Sequence, residues 1–360
     1  MINRFVSKNL IRKGAVPAVA ALALAMAGCA GNGGADAPQE FAFTWDSIPA
    51  ADAGAPQVIQ VDLDSIGRPS AMVLLNDSVM AVLDSRSPEQ IKLLNMRSGA
   101  TTQLVRKGNG PDEMVSVNSM GVVNDTLWLG GNFDNKLAAI HYDKATDAYR
   151  VVDQRTLDFP FMGAVAMGAG SVLTAPATPD SLRFVRVDLN TSARDSTYVF
   201  PVEDEHDNNA LFQGELAMSP DGKNVVSSSR SWGIVEVFDA ADLNRTSLTR
   251  GPQIVDSKIE LRETPFGNTF VQKPMYIVLV GLATADDAFY TGYIGSDFSK
   301  PETMNNGISK VIKYDYTGRP LQYYNLPNEL VSFTISRDSA TLYGFEEDEE
   351  GNLRLVQMPL

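Results

Sequence analysis

The chain has 360 residues, with 44 Asp and Glu against 30 Lys and Arg, a formal charge of −14. So acidic a surface is repelled by phosphate backbones, which excludes nucleic acid as an expected partner. Hydrophobic residues make up 44% of the chain, enough for a folded core rather than a disordered polymer.

Residues 1–13 carry Arg4, Lys8, Arg12 and Lys13 and no acid, and residues 14–28 form a short, alanine-rich apolar run. That order reads as a secretory signal peptide over 1–28, too short to be a comfortable membrane span. The run ends in Met26-Ala27-Gly28-Cys29, which resembles a bacterial lipobox. The resemblance implies that the Cys29 thiol is acylated and becomes the first mature residue, anchoring the protein to the lipid bilayer. Cys29 is the only cysteine, so no disulfide forms within the chain. Removing the signal peptide takes away four basic residues, leaving 26 basic against 44 acidic, a balance of −18. Residues 29–56 read as a lipidated cysteine and flexible tether, glycine-rich at the start. Within it the aromatics Phe41, Phe43 and Trp45 point to packing on the domain that follows, whereas the flanking Gly, Ala and Pro point to a tether, and the sequence does not choose between them. Ala30 stands where inner-membrane lipoproteins often carry Asp, which points to the outer membrane. The single acid before Glu40, Asp36, favours its periplasmic face over the cell surface.

From residue 57 onward, short strand-like runs dominate, and no long stretch keeps a helical apolar period. Six strand–turn–strand pairs recur, at 70–84, 115–131, 161–176, 214–229, 275–293 and 331–345. Their turns carry hairpin residues such as Asn124-Asp125 and Asp221-Gly222. A third strand follows each pair, and a fourth can be drawn for most. Equivalent positions Ser78, Thr126, Ser171, Asn224, Ala288 and Ala340 are spaced by 48, 45, 53, 64 and 52 residues. Four strands at that period make a propeller blade. The expected fold is therefore all-β, a six-bladed β-propeller of four-stranded antiparallel blades over 57–360. The strand at 57–63 supplies the outer strand that the last blade lacks, and ring closure removes most open edges. An array of β-sandwiches is the competing architecture.

Between the first two blades lies Gly108-Asn109-Gly110-Pro111-Asp112-Glu113. A phosphate loop would need a helix after it and a closing Lys-Ser or Lys-Thr; a strand follows instead. The chain resembles the TolB-like six-bladed propeller lipoproteins of Bacteroides-type bacteria. The residues that carry this are the lipobox at 26–29, the blade pattern, and this GxGPxE turn. The resemblance implies fold and address, and no reaction.

Catalytic templates find little. His141 and His206 are the only histidines, and neither GxSxG nor HExxH occurs. His141 reads as a packed or exposed strand residue. His206 lies in the acidic run 202–209, where carboxylates offer oxygen ligands for Ca²⁺, although their order does not match an EF-hand. Six-bladed lactonases suggest an alternative function, a calcium-dependent lactonase or esterase with metal in the central tunnel. Asn118 and Glu215 are its candidate ligands. The principal expectation is a binding module for an envelope protein or small ligand, with binding groups on loops. Arg106, Lys107, Asn109 and Glu113 are candidates at the first junction, and Arg230 and Trp232 on a later loop. Two long loops, 251–274 and 294–307, add to the same expectation. A dimer built on the propeller face and an envelope component working with a transport or sensing system are further readings.

Overall fold

The computed structural model describes residues 37–168, 170–177, 182–201, 209, 211–253, 255, 258–264, 267–300 and 307–360. The expected signal peptide, Cys29 and residues 202–208 of the acidic run, with His206, lie outside the described residues. The chain begins with three short strands, β1 (Gln39–Ala42), β2 (Ala50–Asp52) and β3 (Gln57–Val58). Four antiparallel four-stranded groups follow in chain order. The first blade is β4 (Pro69–Asn76), β5 (Val79–Asp84), β6 (Glu89–Asn95) and β7 (Thr101–Arg106). The second is β8 (Ser119–Val123), β9 (Thr126–Gly131), β10 (Lys136–Asp143) and β11 (Ala148–Thr156). The third is β12 (Phe161–Gly168), β13 (Ser171–Pro176), β14 (Phe184–Asp188) and β15 (Arg194–Thr197). The fourth is β16 (Gly214–Met218), β17 (Asn224–Ser229), β18 (Ile234–Asp239) and β19 (Arg245–Arg250).

A hairpin, β20 (Lys258–Thr264) and β21 (Gly267–Lys273), then forms a sheet of its own. Residues 251–274, expected as a loop, thus contain paired strands. The rest is β22 (Tyr276–Thr284), β23 (Phe289–Asp297), β24 (Ile308–Tyr314), β25 (Pro320–Ile335), β26 (Thr341–Glu347) and β27 (Leu353–Pro359). These six and β3 join in one continuous sheet, with β2 pairing beside it on β25. The fold is an all-β propeller of antiparallel sheets.

The 16-residue β25 pairs with β24 through 320–325 and, after a register shift, at Leu330 opposite Ile308, and with β26 through 330–335. Pro327 falls where the strand changes partners, so its missing N–H breaks no ladder bond there. The first strands pack side by side in the order β4, β8, β12, β16, β22, β25 and back to β4. Apolar faces meet between consecutive sheets: Leu83, Ile91 and Leu93 pack with Leu127, Leu129 and Ile140. Likewise Ala283 and Tyr290 pack with Phe333 and Leu342.

The segment expected as a tether is already paired at Gln39. Strand β1 adds in parallel to the outer edge of β19, and β2 adds in parallel to β25. Between them Phe43 is buried, 4% exposed, and Trp45 packs edge-on against Tyr293 and Tyr323, both 4.7 Å away. The aromatic side chains override the tether composition because they bury apolar area that an exposed linker would leave in water. Strand β3 then pairs antiparallel with β27 through Val58–Val356 and Gln57–Gln357, joining the two ends of the described chain.

The two ends of the ring differ. Connections between first and second strands, and between third and fourth, are tight turns. Asn124 and Asp125 both take positive φ, 50° and 58°, the conformation a two-residue hairpin turn needs. Aspartates close other turns by accepting backbone N–H groups, as Asp188 does from Asn190 and Thr191. The long connections gather at the opposite end. There the Asn118 amide donates to Met162 O at 2.5 Å, and Gln213 Nε2 reaches Met162 Sδ at 3.7 Å, so three successive first strands begin together.

Candidate ligand-binding face

The candidate binding residues singled out from the sequence within the described chain lie at the long-loop end, in two separate groups, whereas His141 lies toward the tight-turn end. The first is the junction between the first two blades. Gly110 N–H donates to Glu113 Oε2 at 2.8 Å, folding the acid back over its own turn. A Cβ on Gly108 would collide with the same carboxylate, so a glycine there leaves room for it. Gly108 N–H donates to Met114 O, and Met114 N–H to Arg106 O, closing the turn. Lys136 Nζ donates to Glu113 O at 3.0 Å, tying the turn to the second blade. Glu113 is therefore engaged by the turn itself, while Arg106, Lys107 and Asn109 are exposed.

The second group lies three blades on. Arg230 N–H donates to Gln213 O, and its carbonyl accepts from Val278 and Leu279, pinning the loop to β22. The Arg230 side chain is exposed. Trp232 is half-buried; its Nε1 donates to Leu211 O at 2.8 Å and its ring lies 6.0 Å from Phe212. The tryptophan thus packs into the fourth blade's rim rather than standing out as a platform.

The metal candidates serve neighbouring strands. Asn118 is exposed but gives its amide to Met162 O. Glu215 Oε1 accepts the Gly281 N–H at 2.8 Å, across from β16 to β22. Gly281 takes φ +71° at a break in register, which frees that N–H from its own ladder. Burial pushes the Glu215 carboxyl above its usual range, opposed by the Gly281 N–H, the Arg230 charge and the Leu282 N–H. Among the described residues, no three His, Cys, Asp or Glu side chains stand close enough to hold a metal ion. His141 is exposed, its Nδ1 3.4 Å from Thr126 Oγ1. A cavity of about 320 Å³ opens at the other, tight-turn end beside Arg186. Its guanidinium is already spent on Ala240 O, Ala241 O and Asp195.

Two exposed cations escaped the sequence reading. The buried Asp84 carboxylate accepts N–H bonds from Gly67 at 2.6 Å and from Arg68 and Arg86 at 3.2 Å each. One carboxylate thus draws the Arg68 and Arg86 backbones together at the rim of the first blade. Arg106 sits on the same rim, opposite Glu89 across the β6–β7 pair. No sequence motif marks this, because Arg68 and Arg86 stand in separate connections.

No known family profile matches the chain. No curated protein matches it either. Among solved structures, a member of the DUF4221 family from Bacteroides vulgatus is similar with a TM-score of 0.57 and 11% identity, covering 85% of this chain and 96% of that one. A Bacteroides fragilis protein provisionally described as exported gives a TM-score of 0.56 at 16% identity, covering 89% of this chain and 99% of that one. Among the described residues no helix is long and apolar enough to cross a membrane. At these identities the likeness is one of fold: the chain shares its propeller with proteins of Bacteroides.

Proposed function

We propose that this protein is a lipoprotein of the cell envelope, anchored through acylated Cys29, whose six-bladed propeller binds an envelope protein or small ligand on its long-loop face. The six-blade count rests on dividing the eight-strand sheet at β25, which then serves as outer strand of one blade and first strand of the next. The closed order of first strands supports that division. The lipobox at 26–29 supports the anchor, and Ala30 the outer membrane, periplasmic side. The similar Bacteroides protein provisionally described as exported agrees with an envelope address.

The observation that carries the binding reading is the inequality of the two ends. One is closed by short, self-satisfied turns; the other collects the connections between blades, the β20–β21 hairpin and exposed Arg106, Lys107, Asn109 and Arg230. Rigid scaffolds place recognition on such loops. The test is site-specific photo-crosslinking in intact envelopes. A photoreactive residue at Asn109 or Arg230 is expected to capture a discrete partner, and one at Lys144 or Thr191 on the tight-turn end is not. Capture from the tight-turn end alone would overturn the assignment. Acyl-lipid labelling lost in Cys29→Ala tests the anchor separately.

A further inference from the structure

The first blade's rim carries a row of unengaged cations on a protein that is otherwise acidic. Arg68 precedes β4, Arg86 lies between β5 and β6, and Arg106 ends β7. All three are exposed, and among the described residues their guanidinium groups make no ion pair or hydrogen bond. Neighbouring strands lie about 4.8 Å apart, so β4 and β7 are separated by about 14 Å, with Arg86 near the middle at about 7 Å. An extended peptide places alternate side chains about 6.7 Å apart on one face. The two spacings match.

Beyond Arg106 the row continues into exposed Lys107 and then to the second blade's loop at 132–135. Asn132 accepts from Ser116 Oγ at 2.8 Å, and Asp134 accepts from Val115 N–H at 2.8 Å. These bonds hold the loop against the segment that follows the 108–113 turn, and Phe133 is 78% exposed. Arginine and aromatic side chains are both enriched at protein recognition sites.

We propose that this rim binds an extended acidic segment of a partner protein, its alternate carboxylates meeting Arg68, Arg86 and Arg106. The guanidinium fork suits a carboxylate better than a lone ammonium does. A single file of cations fits a strand; an anionic membrane would call for a plane of them. The proposal rests on the reading of the long-loop face as the binding face and names the chemistry of its partner.

The test uses the mature chain and two fluorescent peptides of one composition, with three glutamates at alternate or at consecutive positions. Binding is read by anisotropy at about 20 mM and about 300 mM salt, since exposed charge pairs weaken with screening. The alternating peptide is expected to bind more tightly and to weaken with salt. Each of Arg68→Gln, Arg86→Gln and Arg106→Gln is expected to weaken it about threefold, and the triple variant about tenfold or more. Arg97→Gln, at a tight turn, is expected to change nothing. Unchanged melting temperatures of the variants show that the fold is intact. Equal binding of both peptides, or full binding by the triple variant, overturns the proposal. So does capture of anionic phospholipid vesicles, without the peptide, by the wild type. Crosslinks from Asn109 that persist in the triple variant would leave the binding face standing while this chemistry fails; their absence in the wild type would remove the face itself.

Discussion

Glu215 in β16 accepts the backbone N–H of Gly281 in β22 at 2.8 Å, so a single carboxylate joins two successive blades beside the ring's axis. Both groups need each other. The glycine N–H stands at a register break without a ladder partner, and the carboxylate is held above its usual range by burial.

Glutamine at this position keeps an acceptor oxygen and removes the desolvated charge. Because the folded pKa of Glu215 is raised, its protonated form favours the folded state. That contribution is complete below the unfolded value, near 4.3, and is lost as pH rises through the folded one. Glu215→Gln is therefore expected to be at least as stable as wild type at pH 7.5 and to lack this pH dependence in urea unfolding. Glu215→Ala leaves the half-buried Gly281 N–H without this partner, at a cost of about 1 kcal/mol.

The turn at 108–113 acts as one unit, which a double-mutant cycle detects. Gly108→Ala displaces the Glu113 carboxylate, and Glu113→Ala deletes it, so both lose the same bond to Gly110. Each is expected to cost about 1 kcal/mol, and the pair hardly more than either alone. Additive losses in chemical denaturation would show that the glycine serves another purpose.

The strap formed by residues 39–53 belongs to the core. Phe43 passes directly over Gly251, whose φ is +139°, and a Cβ there would strike the Phe43 backbone. Gly251→Ala is expected to cost about 2 kcal/mol or more, from strain and from lifting the strap. Trp45 meets Tyr293, Tyr323 and the Lys310 ammonium, 5.6 Å from its ring. Being half-buried, Trp45→Ala is expected to cost roughly 2 kcal/mol, below the 3–5 typical of fully buried aromatics. Thermal melts of both variants check this.

Acid weakens the turns. Backbone donors hold Asp188 and Asp348 below the ordinary carboxylate range, with Thr191 the chief one for Asp188 and Asn352 for Asp348. Groups with a lowered folded pKa stabilise the fold above their unfolded value, near 3.9, and lose that effect as pH falls through the folded one. The melting temperature is expected to drop progressively below about pH 4. Asp188→Asn retains an acceptor for both N–H groups and is expected to flatten that acid limb.

The propeller was legible because each blade repeats an apolar strand, a turn with Asn, Asp or Gly, and another apolar strand. Strand β19 escaped because Arg245–Arg250 contains one apolar residue, Leu248; its pairing depends on the backbone and on β1 beyond it. The strap's course was hidden for the same reason, since parallel addition to an edge uses peptide groups that every sequence has. Trp45 and Phe43 marked that something packed, without saying where. At the long-loop end, Glu113 read as a candidate ligand group, and the fold spends it on its own turn. Arg68 and Arg86 were invisible as a pair because Asp84, some 16 positions from one and two from the other, brings them together.

The strap also sets how the molecule answers a mechanical load. Strands β1, β2 and β3 lie in succession along the outer edges of the later sheets, so a pull on the N-terminal end loads them one after another. Each is short, four, three and two residues, and each would be peeled before the next bears force. The ring's closure between β3 and β27 is the last link in that series. Tension from the N-terminal side is spent on the strap before it reaches the blades.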